Sequence, residues 1–513
     1  MLLHPAGGRG NVASPLRRLT TPPRLSFPTA TTAAVVLVAA FLPMALGHEH
    51  GEDGIGEGQT ISDDPIDVTL WAHIFIQMLA FGVLFPLGMV LGIIKSRWHV
   101  PLQVFSTVVA LLGYALGHLH KGRQFLSSNV HAKFGNIVFF LMLAQVVLGA
   151  YLKLHLEKGI HGRIRPAFRL LHSVNGKAFP VVSWTQMIFG GITTLGFCQG
   201  DHLGQCLAHF IMGSAFIAYG IMLTILLLVG QLWMRRTGRS QEFFDSAVIA
   251  AWGCVNTFTE HRWGTAWVRN DWQHTTMGII WWCAGLAGIW LSRGRDGSPK
   301  RNFIPGFVLL MTGWAMSAHP QDLPISAMTH KIFGYTLMAA GLTRMIEISF
   351  ILQDKPGISE DGSESHSFQY IPVFLLYASG FLFMGATEEQ MHLVSESGID
   401  HVAYILILYS LAFIVFLFTN MLVYVYDRSA NAPALAVSTA SGAGGDARRP
   451  GREVEDGQQL RDAGEFELDG LMSDDEDEEQ AARRKLLRDD GSDEDGAGFA
   501  SPSTIGRNSD RVA

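Results

Sequence analysis

The chain has 513 residues, 48% of them hydrophobic and only 16% charged, with a mean hydropathy of +0.23. That is too apolar for a water-soluble protein of this length. No nucleotide-binding loop, hydrolase elbow, zinc-protease motif, or flavin or nicotinamide fingerprint occurs, which argues against soluble-type enzymology and a self-contained NADPH-oxidase-type reductase. A net charge of −7 argues against nucleic acid as a partner.

At the amino end, Arg17, Arg18 and Arg24 precede a short apolar run, Thr32–Leu46, that closes on small residues. This pattern predicts a cleaved secretory signal over residues 1–47, with an uncleaved anchor as the alternative. Cleavage leaves a lumenal or extracellular segment, 48–68, that begins with His48, Glu49 and His50.

Eleven apolar runs follow, at about 69–94, 101–119, 134–152, 172–197, 207–233, 243–258, 274–291, 303–318, 330–352, 370–387 and 401–426. Runs near 20 residues are long enough to cross a bilayer, so the predicted fold is an all-α polytopic helical bundle of about eleven spans. The sixth run, which holds Asp245 and Asn256, is the weakest. Loops 95–100, 153–171, 234–242 and 292–302 are rich in Lys and Arg. The positive-inside pattern makes them cytosolic, although loop 120–133 on the other side is also fairly basic. The N-terminus is then lumenal and the C-terminus cytosolic, in an endomembrane or the plasma membrane.

Cys198 and Cys206 flank one outer loop, where a disulfide is plausible in an oxidising compartment. Cys254 and Cys283 fall inside spans and read as packing residues. Arg344 and Glu347, three apart on the ninth span, read as a neutralised intramembrane pair. Residues 427–513 hold 21 Asp/Glu against 11 Lys/Arg, a net charge of −10, so the rest of the chain carries +3. That composition predicts a disordered acidic tail. Its Ser473 and Ser492 each precede acidic runs that would suit a cytosolic kinase or partner, or the tail is simply solvated.

Histidines carry the chemistry. His73, His99, His131 and His172 open the first four spans. In a chain that weaves back and forth, His73 and His131 face one side and His99 and His172 the other. Two same-side pairs are what two bis-histidine haems across a membrane need. Nine of the twenty histidines are followed four residues later by glycine, against about two expected by chance. On a helix the two positions share a face, so the glycine leaves a flat patch one turn from the ring. Glycine packing beside interfacial histidines is the plainer explanation for any single span.

Residues 73–197 resemble the transmembrane cytochrome b561 family in the stretches His99–Gly113, Asn129–Gly135 and Arg169–Gly176. The resemblance implies haem b, two per chain, held by His73 with His131 and by His99 with His172. It departs from the family at Ile74, where a proline is usual, and at Lys133-Phe134. Residues 50–426 resemble the fungal YTP-type membrane proteins, with Glu260–Gly264, His274–Trp282 and Thr387–His392 in the second half. The expected organisation is then a b561-like domain over 69–200 and a YTP-type transmembrane domain over 201–426.

The expected function is electron transfer from a cytosolic donor such as ascorbate to a lumenal or extracellular acceptor such as ferric iron. A ferric or monodehydroascorbate reductase-like oxidoreductase would do this. Lys95, Arg97, Arg165 and Arg169, beside the inner histidines, could steer an anionic donor or merely set topology. A second set, His274, His330, His392 and Glu389, is a candidate metal site on the outer face. The competing functions are a haem-free metal-ion or proton-handling transporter and a non-catalytic membrane scaffold. Membrane lipid, a small-molecule donor and acceptor, and a second copy in a homodimer complete the expected partners.

Overall fold

The computed structural model describes residues 55–56, 59–156, 158–261, 263–353 and 365–441. The signal region, His48 and His50, and the acidic tail beyond Ser441 lie outside these residues. Among the described residues the fold is all-α, with isolated bridges at Ile61–Phe125 and Arg293–Pro299.

Among the described residues thirteen helices follow in order. They are α1 Val68–Ile93, α2 His99–Leu119, α3 Val130–Lys153, α4 Ile160–Leu195, α5 Leu203–Leu228, α6 Gln231–Thr237 and α7 Gln241–Thr259. After these come α8 Arg269–Leu291, α9 Ile304–Ser317, α10 Pro324–Leu352, α11 Tyr370–Met384, α12 Glu388–Glu396 and α13 His401–Ser441. A helix stands at each of the eleven predicted runs. Seven (α1, α2, α3, α5, α10, α11 and α13) are long and apolar enough to cross a membrane, α5 and α11 each with a 3-10 turn before them and α13 as far as Ser429. The chain is an integral membrane protein. Exposed Phe75, Phe105, Phe140, Trp290, Phe413 and Leu417 on the bundle surface would be a liability in water but match lipid.

Local signals set the helix ends. Asp67 caps α1 by accepting from the Leu70 N–H at 2.8 Å, and Asn129 caps α3 by accepting from Ala132 at 2.8 Å. Each satisfies a donor that the first turn cannot. Gly196, at φ +72°, ends α4 in a left-handed conformation that glycine takes without strain.

Three boundaries differ from the sequence reading. Helix α4 starts at Ile160, twelve residues before His172, so the basic stretch Arg163–Arg169 is a helical extension rather than a loop. Helix α13 runs to Ser441, past the expected start of the tail at 427, because Asp427-Arg428-Ser-Ala-Asn-Ala contains no helix stop. The run 207–233 breaks at Val229-Gly230 into α5 and α6.

Helices α1 and α2 pair, as do α3 and α4. Between them lies an apolar core of Ala80, Phe85, Ala110, Leu111, Val138, Phe139, Met142 and Phe179. In the later helices α7 pairs with α8, α9 with α10, and α5 with α11. These pairs approach through glycine: a Cβ on Gly213 would meet the Gly380 carbonyl at 2.6 Å, and one on Gly380 would meet the Gly213 carbonyl at 2.6 Å. Small residues let backbones close without a hydrophobic driving force, as membrane bundles require. A second core, with Phe333, Leu337, Tyr377, Leu382 and Ala412 fully buried, holds this half together. The α13 helix packs on both α11 and the last turns of α1, joining the halves.

Candidate functional site

His73 and His131 lie with ring centres 6.1 Å apart and planes at 90°. His99 and His172 lie 6.4 Å apart at 82°. The four histidines thus come together as the two expected pairs, one at each end of the α1–α4 bundle. Two metal–imidazole bonds of about 2.0–2.1 Å placed back to back put ring centres about 6–6.5 Å apart. The rings therefore stand at the separation that one iron between them needs.

The ring nitrogens are sorted for ligation. His73 Nδ1 lies 2.7 Å from the Gly113 carbonyl and His99 Nδ1 lies 2.7 Å from the Gly88 carbonyl. A carbonyl only accepts, so Nδ1 carries the proton and Nε2 keeps a free lone pair. His131 Nδ1 faces the Gln186 carbonyl at 3.2 Å and the Gln186 side-chain nitrogen at 3.0 Å. His172 Nδ1 is buried without a partner. Each of three rings is thus oriented by a backbone group, as ligating histidines are.

Each ring also has a facing glycine on its paired helix. A Cβ on Gly117 would meet His73 Nδ1 at 2.6 Å, and one on Gly92 would meet His99 Cε1 at 2.9 Å. A Cβ on Gly190 would meet His131 Cε1 at 3.1 Å, and one on Gly149 would meet His172 Cε1 at 3.2 Å. One turn further in, a glycine seats a glutamine on the partner helix: Gly113 against Gln77, Gly88 against Gln103, Gly135 against Gln186 and Gly176 against Gln145.

These positions form a frame repeated on four helices. The α1 helix carries His73, Gln77, Gly88 and Gly92; α2 carries His99, Gln103, Gly113 and Gly117. The α3 helix carries His131, Gly135, Gln145 and Gly149; α4 carries His172, Gly176, Gln186 and Gly190. The spacing is four, ten and four residues, except that α1 has eleven in the middle. A π-turn at Ala80–Leu84 lies within that stretch. It takes up the extra residue and restores the register. The eighteen residues from first to last frame position span about 27 Å at the helical rise, so the two pairs stand near opposite faces of a hydrocarbon layer about 30 Å thick.

The candidate donor residues divide. Lys95 sits exposed in the turn before α2 at φ +54°, and Arg97 lies exposed over the Trp98 ring at 5.7 Å. Arg169 is exposed on the α4 extension. Arg165 instead donates to the Leu152 carbonyl at 3.2 Å, where it tethers the end of α3 and complements its dipole.

The candidate metal set is split. His274 and His330 lie in one row with His209 and His319, whereas Glu389 accepts from the Cys198 N–H at 2.8 Å and His392 is exposed on α12. Cys198 and Cys206 form a disulfide, with Cα atoms 5.3 Å apart. Their sulfurs and Glu389 are the group of three ligating side chains whose donor atoms already converge among the described residues, but the bond between the sulfurs consumes the thiolates. Cys254 and Cys283 are free.

At the opposite end of the second half, Arg344 Nη1 meets Glu347 at 2.7 Å, so the three-residue spacing does make an ion pair. Arg344 Nη2 also meets Glu242 at 2.7 Å, and Arg301 meets Glu242 at 3.1 Å. Asp245 accepts from the Tyr219 hydroxyl beside them. Asn256, the other polar residue that weakens the sixth run, donates to the His274 carbonyl at 3.0 Å, so both are partnered, which is what burial in a membrane demands.

Residues 182–427 match the family described as Protein YTP1-like, C-terminal. The chain is similar to fungal YTP-type membrane proteins. Residues 54–155 match a domain of unknown function, DUF2427. The first three pocket histidines lie in that match, whereas His172 lies between the two. Protein YTP1 of Saccharomyces cerevisiae is 47% identical over 251 residues, 48% of this chain and 53% of that protein. The chain therefore spans about half the length of that relative. An uncharacterised membrane protein of Schizosaccharomyces pombe is 21% identical over 469 residues, covering 65% of this chain and 91% of its own length. A further uncharacterised membrane protein of Saccharomyces cerevisiae is 24% identical over 257 residues, 40% of each chain. No solved structure matches the chain.

The glutamines and glycines around the rings escaped the sequence reading, which followed only histidine and the glycine four residues later. Lining up the four spans on their histidines reveals the frame, once α1 is allowed one extra residue.

Proposed function

We propose that α1–α4 carry electrons across the membrane through two b-type haems, one held by His73 and His131 and the other by His99 and His172. The observation that carries this reading is the pair of matched imidazole separations, 6.1 and 6.4 Å, at opposite ends of one bundle. A haem held between two such imidazoles would supply one-electron redox chemistry and, with both histidines bound, would leave no position for oxygen, which would suit electron transfer.

The protein's own groups define the rest. Backbone carbonyls fix the tautomers of His73 and His99, and the facing glycines leave the rings free to approach. Between the two ends, Phe81, Phe85 and Phe179 pack at 5.2–5.8 Å and Tyr114 packs on Phe139 at 5.3 Å. That apolar filling keeps water and protons from following the electron. With the basic turns cytosolic, the His99/His172 end faces the donor. Lys95, Arg97 and Arg169 give that end positive charge to draw an anionic reductant such as ascorbate. The His73/His131 end then faces the lumen or exterior, where an acceptor such as ferric iron takes one electron and becomes ferrous.

Purification in detergent and a reduced-minus-oxidised absorbance spectrum test the reading. The expected result is b-type bands at two haems per chain, reduced by ascorbate. Protein folded by circular dichroism and devoid of haem bands would overturn it.

A further inference from the structure

The second half carries a row of histidines that the electron path does not use. His209 opens α5, His274 opens α8, His319 follows α9 and His330 opens α10, at the end of the bundle that also holds His73 and His131. Ring centres are 5.9 Å apart for His209–His330, 6.5 Å for His330–His319 and 5.6 Å for His319–His274. Glu260 closes the row with a carboxylate 3.2 Å from His274. The row runs from half-exposed His274 to His330 and His209, which are 5% and 8% exposed.

Three explanations compete for it, and packing decides between them. A third haem does not fit. The His209 ring lies flat on Phe383, with centres 4.5 Å apart and planes at 9°, and a Cβ at Gly213 would already meet the Gly380 carbonyl at 2.6 Å. A proton relay needs each imidazole to accept at one nitrogen and donate from the other. Here Nδ1 of His209 donates to the Gln205 carbonyl at 2.8 Å and that of His330 to the Ser326 carbonyl at 2.9 Å, whereas Nδ1 of His319 lies between the Pro320 carbonyl at 3.0 Å and the Gln321 side-chain nitrogen at 2.9 Å. With Nδ1 of the inner pair fixed, only Nε2 of His209 and of His330 is left to act.

His209 Nε2 and His319 Nε2 are buried without a partner. A buried unsatisfied nitrogen costs on the order of 1–3 kcal/mol, yet two occur in one row. Neutral imidazoles with Nδ1 bonded to carbonyls and Nε2 bare are the form in which histidine binds metal. We propose that this row binds a zinc or copper ion between His209 and His330, with His319 and His274 leading to it from the membrane surface. Imidazole donors suit both metals. The 5.9 Å separation of the inner pair is close to the separations of the two pockets in α1–α4. Relative to the set expected from sequence, His274 and His330 stay, His209 and His319 join, and His392 and Glu389 leave.

The test uses the full chain with His48→Ala and His50→Ala, so that the amino-terminal histidines do not contribute. Metal-stripped protein is titrated with Zn2+ and separately with Cu+, and the bound ion is counted by elemental analysis. The expected result is an ion site that His330→Gln and His209→Gln each weaken at least tenfold, with any haem spectrum unchanged. His274→Gln, at the accessible end, should keep the stoichiometry and slow uptake. If His209→Gln does not fold, His330→Gln and His274→Gln still decide. Unchanged affinity in His330→Gln and unchanged uptake in His274→Gln, or no ion bound before mutation, would overturn the proposal. Haem bands without an ion sink this site alone, whereas an ion without haem bands sinks the electron path alone.

Discussion

In α1–α4 the glycines face imidazoles and glutamines, whereas in the later helices they face each other's backbone. Gly117 and Gly190 stand over His73 and His131, while Gly213 stands on Gly380. The same residue type therefore makes room for rings in one half and brings helices into contact in the other. Histidines diverge too. Those of the first half pair across the bundle at both ends, and those of the second form a row at one end only. The opposite end of the second half instead holds Arg344 paired with Glu242 and Glu347, beside Asp245 on the Tyr219 hydroxyl. One half is built as two matching pockets and the other as a tightly closed bundle with unlike ends.

The sharpest way to break this contrast is to fill a glycine in each half. Gly190→Leu should push His131 out of line and abolish the spectral component of the His73/His131 pocket, leaving that of His99/His172. Gly213→Leu should instead lower thermal stability in detergent by separating α5 from α11, with both spectral components retained while the protein stays folded. Equal effects on the spectrum would erase the distinction.

Arg344→Met probes the closed end. It takes the guanidinium from Glu347 and leaves Glu242 with Arg301, and breaking a buried pair costs about 3–5 kcal/mol. Thermal unfolding should reveal that loss, and Glu347→Gln together with Arg344→Met should recover part of it. Failure of the double variant to recover anything would mean that the cluster is not held by charge pairing.

The π-turn in α1 offers a smaller effect with a clear sign. Deleting Val83 shortens the step from Gln77 to Gly88 from eleven residues to ten, the spacing of α2, α3 and α4, so both pockets should survive. Deleting Val109 from α2 breaks that helix's frame, so haem content should fall. Loss of haem in the Val83 deletion alone would refute the shared register.

The smallest effect lies at the Asp67 cap. Backbone N–H groups of Lys121 and Leu70 donate to its carboxylate and hold it below the usual carboxylate range. A depressed folded value means that the contribution is fully present above the unfolded value near 3.8 and is lost as pH falls through the folded value. Asp67→Ala should cost about 1 kcal/mol at pH 7 and progressively less as the pH is lowered below 3.8, measured as thermal stability at each pH.

Much of this was legible in the sequence because hydropathy and histidine position are strong one-dimensional signals. The eleven runs and the alternation of His73, His99, His131 and His172 place the pairs without any contact information. Gln77, Gln103, Gln145 and Gln186 were not legible, since a glutamine in an apolar run gains meaning only from the glycine it faces on another helix. The one-residue offset in α1 hid the repeat further. The row of His209, His319, His330 and His274 was also obscured. Its members come from four separate segments, and only the glycine-mediated closure of α9 on α10 and of α5 on α11 brings them side by side. His392 and Glu389 shared the same face by spacing, but Glu389 is committed to the Cys198 amide and His392 is exposed on a short helix.

The central claim is that two separate bis-imidazole pockets stand at opposite ends of one bundle. Reduced-minus-oxidised spectra of His131→Ala and His172→Ala, recorded with haem counted per chain, test it most directly. Each variant should retain one haem and lose a different spectral component, and the double variant should retain none. Full haem content in both single variants, or loss of both components together in either one from protein that remains folded, would contradict the account.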